Sequence, residues 1–131
     1  MEIKEFIDSL KRDKARGNLA PHQIILLIAM FNLYILKNTF KYDIIDLNEE
    51  FKKTWLEHQD KFGSKNNKIG LPLKAFVNKE YINIEISSTI NDFRNNNELD
   101  SKIMSIEVSR ILQEILKKDN VKNYLISRIT I

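Results

Sequence analysis

The chain has 131 residues, of which 43% are hydrophobic and 30% are charged. This length and composition predict a single domain, residues 1–131, with one hydrophobic core, and they exclude a disordered chain. Cysteine is absent, which excludes disulfide bridges and thiolate zinc sites and fits a reducing cytoplasm. The longest apolar run, Ile24 to Leu36, contains Asn32 and is too short to span a bilayer, so no membrane partner is predicted.

Charge is distributed unevenly along the chain. The formal net charge is +3, but residues 61–79 hold five lysines and no acidic residue. Residues 80–107 hold six acidic residues against Arg94 and Lys102. The lysine-rich segment 61–79 fits a protein that binds a polyanion with one surface. The alternative interpretation is that this segment is an ordinary solvated face.

The first half of the chain is predicted to be mostly helical. Apolar residues recur at helical spacing from Ile3 to Leu10. A second helix, Pro21 to Lys37, is apolar on nearly every side and is expected to be the buried centre of the domain. A short extended segment over Tyr42–Ile45 then precedes a third helix, for which Asp46 or Asn48 is the expected N-cap.

The second half is predicted to combine one strand with helices and loops. Alternation of apolar and polar residues over Ile82–Ile86 predicts the strand. Apolar spacing between Ile103 and Leu116 predicts helical segments with Ser105 as an N-cap. A basic loop, one helical turn, a polar loop and a last helix are expected over residues 63–68, 73–76, 91–97 and 121–129.

The predicted fold class is therefore mostly α with a small β element, a compact α+β domain. Two helices, a basic loop and a strand follow one another in the middle of the chain. This order is compatible with a winged-helix arrangement.

No motif for catalysis is found in the sequence. Three glycines cannot build a phosphate-binding Walker loop, and there is no serine nucleophile elbow. An acidic residue two positions before lysine, as in some nucleases, occurs three times, which chance explains at this charge content: Glu2-Ile3-Lys4, Glu50-Phe51-Lys52 and Asp100-Ser101-Lys102. The two histidines, His22 and His58, do not make an HNH nuclease site. We predict no enzyme activity, no catalytic residue, no metal site and no cofactor.

The stretch from Gly17 to Gln23 runs directly into the apolar helix and is the most informative part of the chain. His22 lies in the first turn of that helix, where unpaired backbone N–H groups and the helix dipole favour an anion. A basic segment precedes it, with Lys11, Arg12, Lys14 and Arg16. His22 is either a contact to DNA or a helix-start residue bonded to a nearby carbonyl.

Ala20-Pro21-His22-Gln23, followed by the apolar helix, resembles the opening motif of the N-terminal domain of McrA-like HNH restriction endonucleases. Leu71-Pro72-Leu73-Lys74-Ala75-Phe76, followed by Tyr81-Ile82-Asn83-Ile84, is similar to the proline turn and strand of that family. Further matches fall in the same order, and the resemblance covers residues 17–131. Gln23, Ile24 and Leu71 stand where the family more often has a basic residue, a proline and an aromatic residue.

The resemblance implies a DNA sulfur-binding domain, which recognises phosphorothioate DNA, and places this chain in a restriction or defence context. Matched by position, the sulfur cavity would be formed by His22, Gln23, Leu71, Pro72 and Ala75. The candidates for contacts to the DNA backbone are Arg16, Asn18, Lys65, Asn66, Asn67, Lys68 and Lys74. The implied partners are double-stranded DNA, phosphorothioate-modified in the sharpest form of the hypothesis, and a separate nuclease, because the family's nuclease domain is not matched.

Two alternatives from other classes remain open. A winged-helix regulator would bind unmodified DNA. A protein-interaction subunit of a defence complex would dock through residues 21–37 or 107–129 and would show no salt-sensitive DNA binding.

Overall fold

The computed structural model describes residues 2–10, 21–62 and 66–129. These ranges hold seven α-helices, a 3-10 turn and a three-stranded sheet. In chain order the elements are α1 (Ile3–Ser9), α2 (His22–Lys37), β1 (Lys41–Tyr42), α3 (Ile44–His58), the 3-10 turn (Gln59–Lys61), α4 (Gly70–Asn78), β2 (Ile82–Ile86), α5 (Asn96–Lys102), β3 (Ile103–Val108), α6 (Arg110–Leu116) and α7 (Val121–Ser127). The predicted α+β class is confirmed.

Helix α2 is the centre of the core. Its residues 24–30 are all buried, and α3, α4 and α7 pack against it. A helix that is apolar on every side can be stable in water only when neighbours enclose it, so this packing follows from the composition of α2. Asn38 ends the helix in the left-handed conformation, with φ 54°, which asparagine adopts more readily than most residues.

The sheet has the strand order β1–β3–β2, and both pairings are antiparallel. In the register, Ile82 lies opposite Val108, and Ile106 lies between Tyr42 of β1 and Ile84 of β2. Ile82, Ile106 and Val108 are buried, so the sheet lies with one face on the helical core.

The order of elements α2–β1–α3–α4–β2–β3, together with the strand order β1–β3–β2, is compatible with the predicted winged-helix arrangement. Helix α5 lies in the connection between β2 and β3.

The helical prediction for residues 103–108 is wrong, because this segment is strand β3. Ile103 and Ile106 have a spacing that fits a helix, but pairing with β2 and β1 on both sides decides the conformation. Ser105 is accordingly not an N-cap. Ser109 has that role for α6, and its Oγ accepts a hydrogen bond from the Leu112 N–H at 3.3 Å.

Three other predicted boundaries are also corrected. Helix α3 begins at Ile44 with Asp43 as the N-cap residue, so neither Asp46 nor Asn48 caps it and the extended segment is shorter than predicted. A single helical turn was expected over residues 73–76, but these residues lie inside a longer helix, α4 (Gly70–Asn78). The loop expected over residues 91–97 ends in α5, where the Asn95 side chain accepts a hydrogen bond from the Glu98 N–H.

The start of α4 depends on Gly70. A Cβ atom at this position would lie 1.8 Å from the carbonyl oxygen of Phe93 and 3.2 Å from the Cα of Arg94. These are backbone atoms, which cannot turn away as a flexible side chain would. Only glycine therefore allows the first turn of α4 to lie directly against residues 93–94.

We expect Gly70→Ala to lower the free energy of unfolding by about 1–3 kcal/mol, because the added methyl group must push these two backbone segments apart. Chemical denaturation followed by circular dichroism measures this loss. Asn78→Ala, at an exposed position of the same helix, is the matched control and should stay within about 0.5 kcal/mol of wild type. Equal stability of Gly70→Ala and wild type would contradict the close approach.

Candidate nucleic-acid interface

His22 connects the start of α2 to the segment that precedes α4. Its Nε2 atom lies 2.7 Å from the carbonyl oxygen of Asn66. A carbonyl only accepts, so Nε2 carries the proton and donates. The imidazole also packs on Trp55, with the ring centroids 4.7 Å apart. The contact is thus the one expected of a helix-start histidine bonded to a carbonyl, and contact of this ring with DNA stays a prediction.

The residues matched to the sulfur cavity lie on the first turn of α2 and on α4, two helices that pack against each other. His22, Gln23 and Ala75 are half-buried, Pro72 is buried, and Leu71 is 56% exposed. Pro72 lies in the first turn of α4, where a missing N–H interrupts no helical hydrogen bond. Leu71 is therefore the most accessible apolar side chain of the five.

The segment before α4 carries three of the residues predicted to contact the DNA backbone. Asn66 and Lys68 are exposed and Asn67 is half-buried. The Asn66 side chain accepts a hydrogen bond from the Lys68 N–H at 3.3 Å, which is the pattern of a local turn. The predictions for Arg16, Asn18 and Lys65 lie outside the described residues.

Helix α4 turns one face to the core and one to solvent. Gly70, Leu73 and Phe76 are buried, whereas Leu71, Lys74 and Asn78 are exposed. Positions three and four apart lie on one side of a helix, so the last three residues share a face. We call Leu71, Lys74 and Asn78 the exposed α4 face. It combines an apolar side chain, a cation and an amide.

Two of the six acidic residues in 80–107, Asp92 and Glu98, form ion pairs with nearby residues. Asp92 accepts a hydrogen bond from the Nε of Arg94 at 3.0 Å, and Glu98 lies 2.6 Å from the Nζ of Lys102. Lys102 and the backbone N–H groups of Asp92 and Asn91 lower the pKa of Glu98 from its ordinary value near 4.5 to about 2. These contacts partly offset the negative charge of residues 80–107, which leaves residues 61–79 as the acid-free part of the chain.

Residues 91–97 were predicted only as a loop, yet the backbone of Phe93 and Arg94 lies against the first turn of α4. The signal was a glycine directly before Leu71-Pro72 in a chain with only three glycines. A glycine at a helix start is compatible with a close approach of another segment, but the sequence does not show which segment that is. The neighbour here is Phe93, 23 positions along the chain.

The described ranges of the chain show neither a metal site nor a membrane-spanning helix. There, no three residues among His, Asp and Glu converge in a way that could hold a metal ion. No helix within the same ranges has the length and apolar character needed to cross a membrane.

His58, at the end of α3, is a buried histidine with an incomplete set of partners. Its Nδ1 lies 3.4 Å from the Nζ of Lys61, and its Nε2 has no hydrogen-bond partner among the described residues. Burial lowers the pKa of His58 below its ordinary value of 6.5, and the positive charges of Lys61 and Lys122 lower it further. The folded protein therefore holds this ring neutral at physiological pH.

We expect His22→Ala to lower the free energy of unfolding by about 1–2 kcal/mol, because it removes both the hydrogen bond to Asn66 and the packing on Trp55. Amide hydrogen exchange of residues 66–69 should become faster in the variant. His22→Gln, which retains an N–H donor, should lose less. Wild-type stability together with wild-type exchange in His22→Ala would show that the ring does not hold this segment.

We also expect stability to fall as the pH drops below about 6.5. Because the pKa of His58 is lower in the folded state, the unfolded state binds more protons in this window, and acidification favours unfolding. His58→Phe should make this loss smaller, as measured by thermal melts between pH 7.5 and 5.5. His22→Gln, melted in parallel, separates the contribution of the other histidine. An unchanged pH dependence in His58→Phe would refute the assignment.

Comparison with known proteins leaves the function to be argued from the residues. Neither protein-family models nor curated protein sequences give a match to the chain. The hypothesis of DNA binding thus depends on the motif residues named above and on their arrangement in the fold.

Proposed function

We propose that this protein is a non-catalytic domain that binds double-stranded DNA through the exposed α4 face. The observation that carries the proposal is the position of Leu71, Lys74 and Asn78 on one solvent-facing side of a helix within the acid-free residues 61–79. A major groove admits one helix, and a lysine-rich segment without acidic residues is attracted to the phosphates on either side of it.

The three side chains have distinct roles in this proposal. Lys74, with Lys68 before the helix, contacts phosphates and supplies affinity without sequence preference. The Asn78 amide has the donor and acceptor that pair with the edge of an adenine. Leu71 offers an apolar contact to a thymine methyl group or to a sulfur atom of the backbone.

Recognition of phosphorothioate DNA is the finer form of the proposal. Sulfur is larger and less well hydrated than the phosphate oxygen it replaces, so an apolar surface at Leu71 and Ala75 disfavours sulfur less than oxygen. A contrast of this kind gives about 1–3 kcal/mol of discrimination. Support comes from the resemblance of residues 17–131 to sulfur-binding domains of restriction endonucleases, with a separate nuclease as the implied partner.

A regulator that binds unmodified DNA is the second candidate. The order of helices and strands, with the sheet order β1–β3–β2, favours it, because α4 takes the position of a groove-binding helix in a winged helix. This candidate uses the same exposed α4 face. It differs in binding unmodified and phosphorothioate DNA with equal affinity.

Fluorescence anisotropy on two matched duplexes, identical except for one phosphorothioate linkage, tests these forms against each other. We expect binding to both, weaker at higher salt, and tighter binding to the modified duplex. Equal affinities would contradict sulfur recognition and favour the regulator. No binding to either would contradict the DNA proposal and favour the protein-interaction subunit.

Within the same measurement, Lys74→Ala should weaken binding to both duplexes and reduce the slope of log K against log salt by about 1. Lys52→Ala, at an exposed position of α3, is the matched control and should behave as wild type. Equal effects of the two substitutions would show that the exposed α4 face is not the contact surface.

A further inference from the structure

A polar cleft of about 450 Å³ opens beside the start of α4. We call it the asparagine cleft, and its lining is Lys68, Asp92, Arg94, Asn95, Asn96 and Asn97. No apolar side chain lines it. A cleft of this composition suits a small polar group rather than an apolar ligand.

The walls of the asparagine cleft are held in place by the fold. On one side, Gly70 brings the start of α4 against the backbone of Phe93. On the other, the Glu98 carboxylate accepts hydrogen bonds from the N–H groups of Asn91 and Asp92, at 3.0 and 2.7 Å. These two contacts hold the loop over residues 91–97 against its neighbours. A ligand would therefore not have to order this loop on binding.

The charges in the asparagine cleft favour an anion. Lys68 and Arg94 are positive and Asp92 is negative, which leaves one net positive charge. Asp92 holds the Nε of Arg94 at 3.0 Å and orients the guanidinium, whose side chain is 70% exposed. Arg94 is therefore paired with Asp92 and also accessible to solvent, and guanidinium geometry matches that of phosphate oxygens.

Lys68 connects the asparagine cleft, along the chain, to the exposed α4 face. Lys68 lines the cleft and precedes α4 by two residues, within the same acid-free segment as Lys74. An extended polyanion lying along the exposed α4 face would thus reach the cleft. The side-chain amides of Asn95, Asn96 and Asn97 add donors of the kind that contact phosphate and sugar oxygens.

We propose that the asparagine cleft binds a phosphodiester group of the DNA backbone, with Arg94 and Lys68 as its cationic ligands. This inference rests on the proposed function and adds a second anchoring point beside the exposed α4 face. Two anchors fix the direction of the duplex on the protein, which one helix contacting a groove does not do by itself.

Two substitutions with opposite expected effects test the asparagine cleft by anisotropy on an unmodified duplex. Arg94→Gln removes a positive charge and should weaken binding about three- to fivefold. Asp92→Asn removes the negative charge, retains the shape of the side chain, and should tighten binding by a similar factor. Arg110→Gln and Asp119→Asn make the same charge changes at exposed positions outside the cleft and should have little effect.

Each outcome decides the question. If wild type binds and the two cleft variants match their charge controls, the cleft inference is overturned while the proposed function stands. A loss of affinity in both cleft variants, with lower melting temperatures, also overturns it, because the Asp92–Arg94 pair would then only hold the loop. If wild type binds no duplex, the proposed function fails and the cleft inference fails with it.

Discussion

The burial of α2 decides where the neighbouring helices lie. Residues 24–30 place apolar side chains all around the helix, and water can be excluded from them only if other elements cover every side. Helices α3, α4 and α7 provide that cover. The position of α4 is thereby set from the inside, through the buried Leu73 and Phe76, and its opposite side must face solvent. The surface that we propose for DNA is thus a consequence of how the core closes.

Two contacts between distant segments then shape this surface. The hydrogen bond from His22 to Asn66 joins the start of α2 to the segment before α4, and Gly70 lets the first turn of α4 lie against Phe93. The same loop carries Asp92 and Arg94, whose pairing partly offsets the negative charge of Asp92. Positive charge at Lys68 and Lys74 can therefore act on a ligand without an equally strong opposing field beside it.

Local patterns in the sequence predicted the elements whose conformation depends on nearby residues. The apolar run of α2 and the alternation of β2 are of this kind, and both elements were predicted within one residue of their observed ends. Strand β3 was missed because Ile103 and Ile106 also fit a helix. Its conformation is decided by pairing with Ile84 and Tyr42, which are far away in sequence.

The candidate site was likewise predicted only in part from local patterns. The motif residues on α2 and α4 could be named from the sequence, but the contacts of His22 with Asn66 and of Gly70 with Phe93 join residues 44 and 23 positions apart, which no local pattern encodes.

We propose that a DNA duplex lies on a surface formed by the exposed α4 face together with the asparagine cleft. Backbone amide chemical shifts, followed by NMR while a duplex is added, test this surface because they report on every part of the chain at once. We expect shift changes that saturate and are concentrated over residues 66–79 and 91–97. Changes confined to the exposed end of α2, at Ile35 and Leu36, or no changes at all, would contradict it.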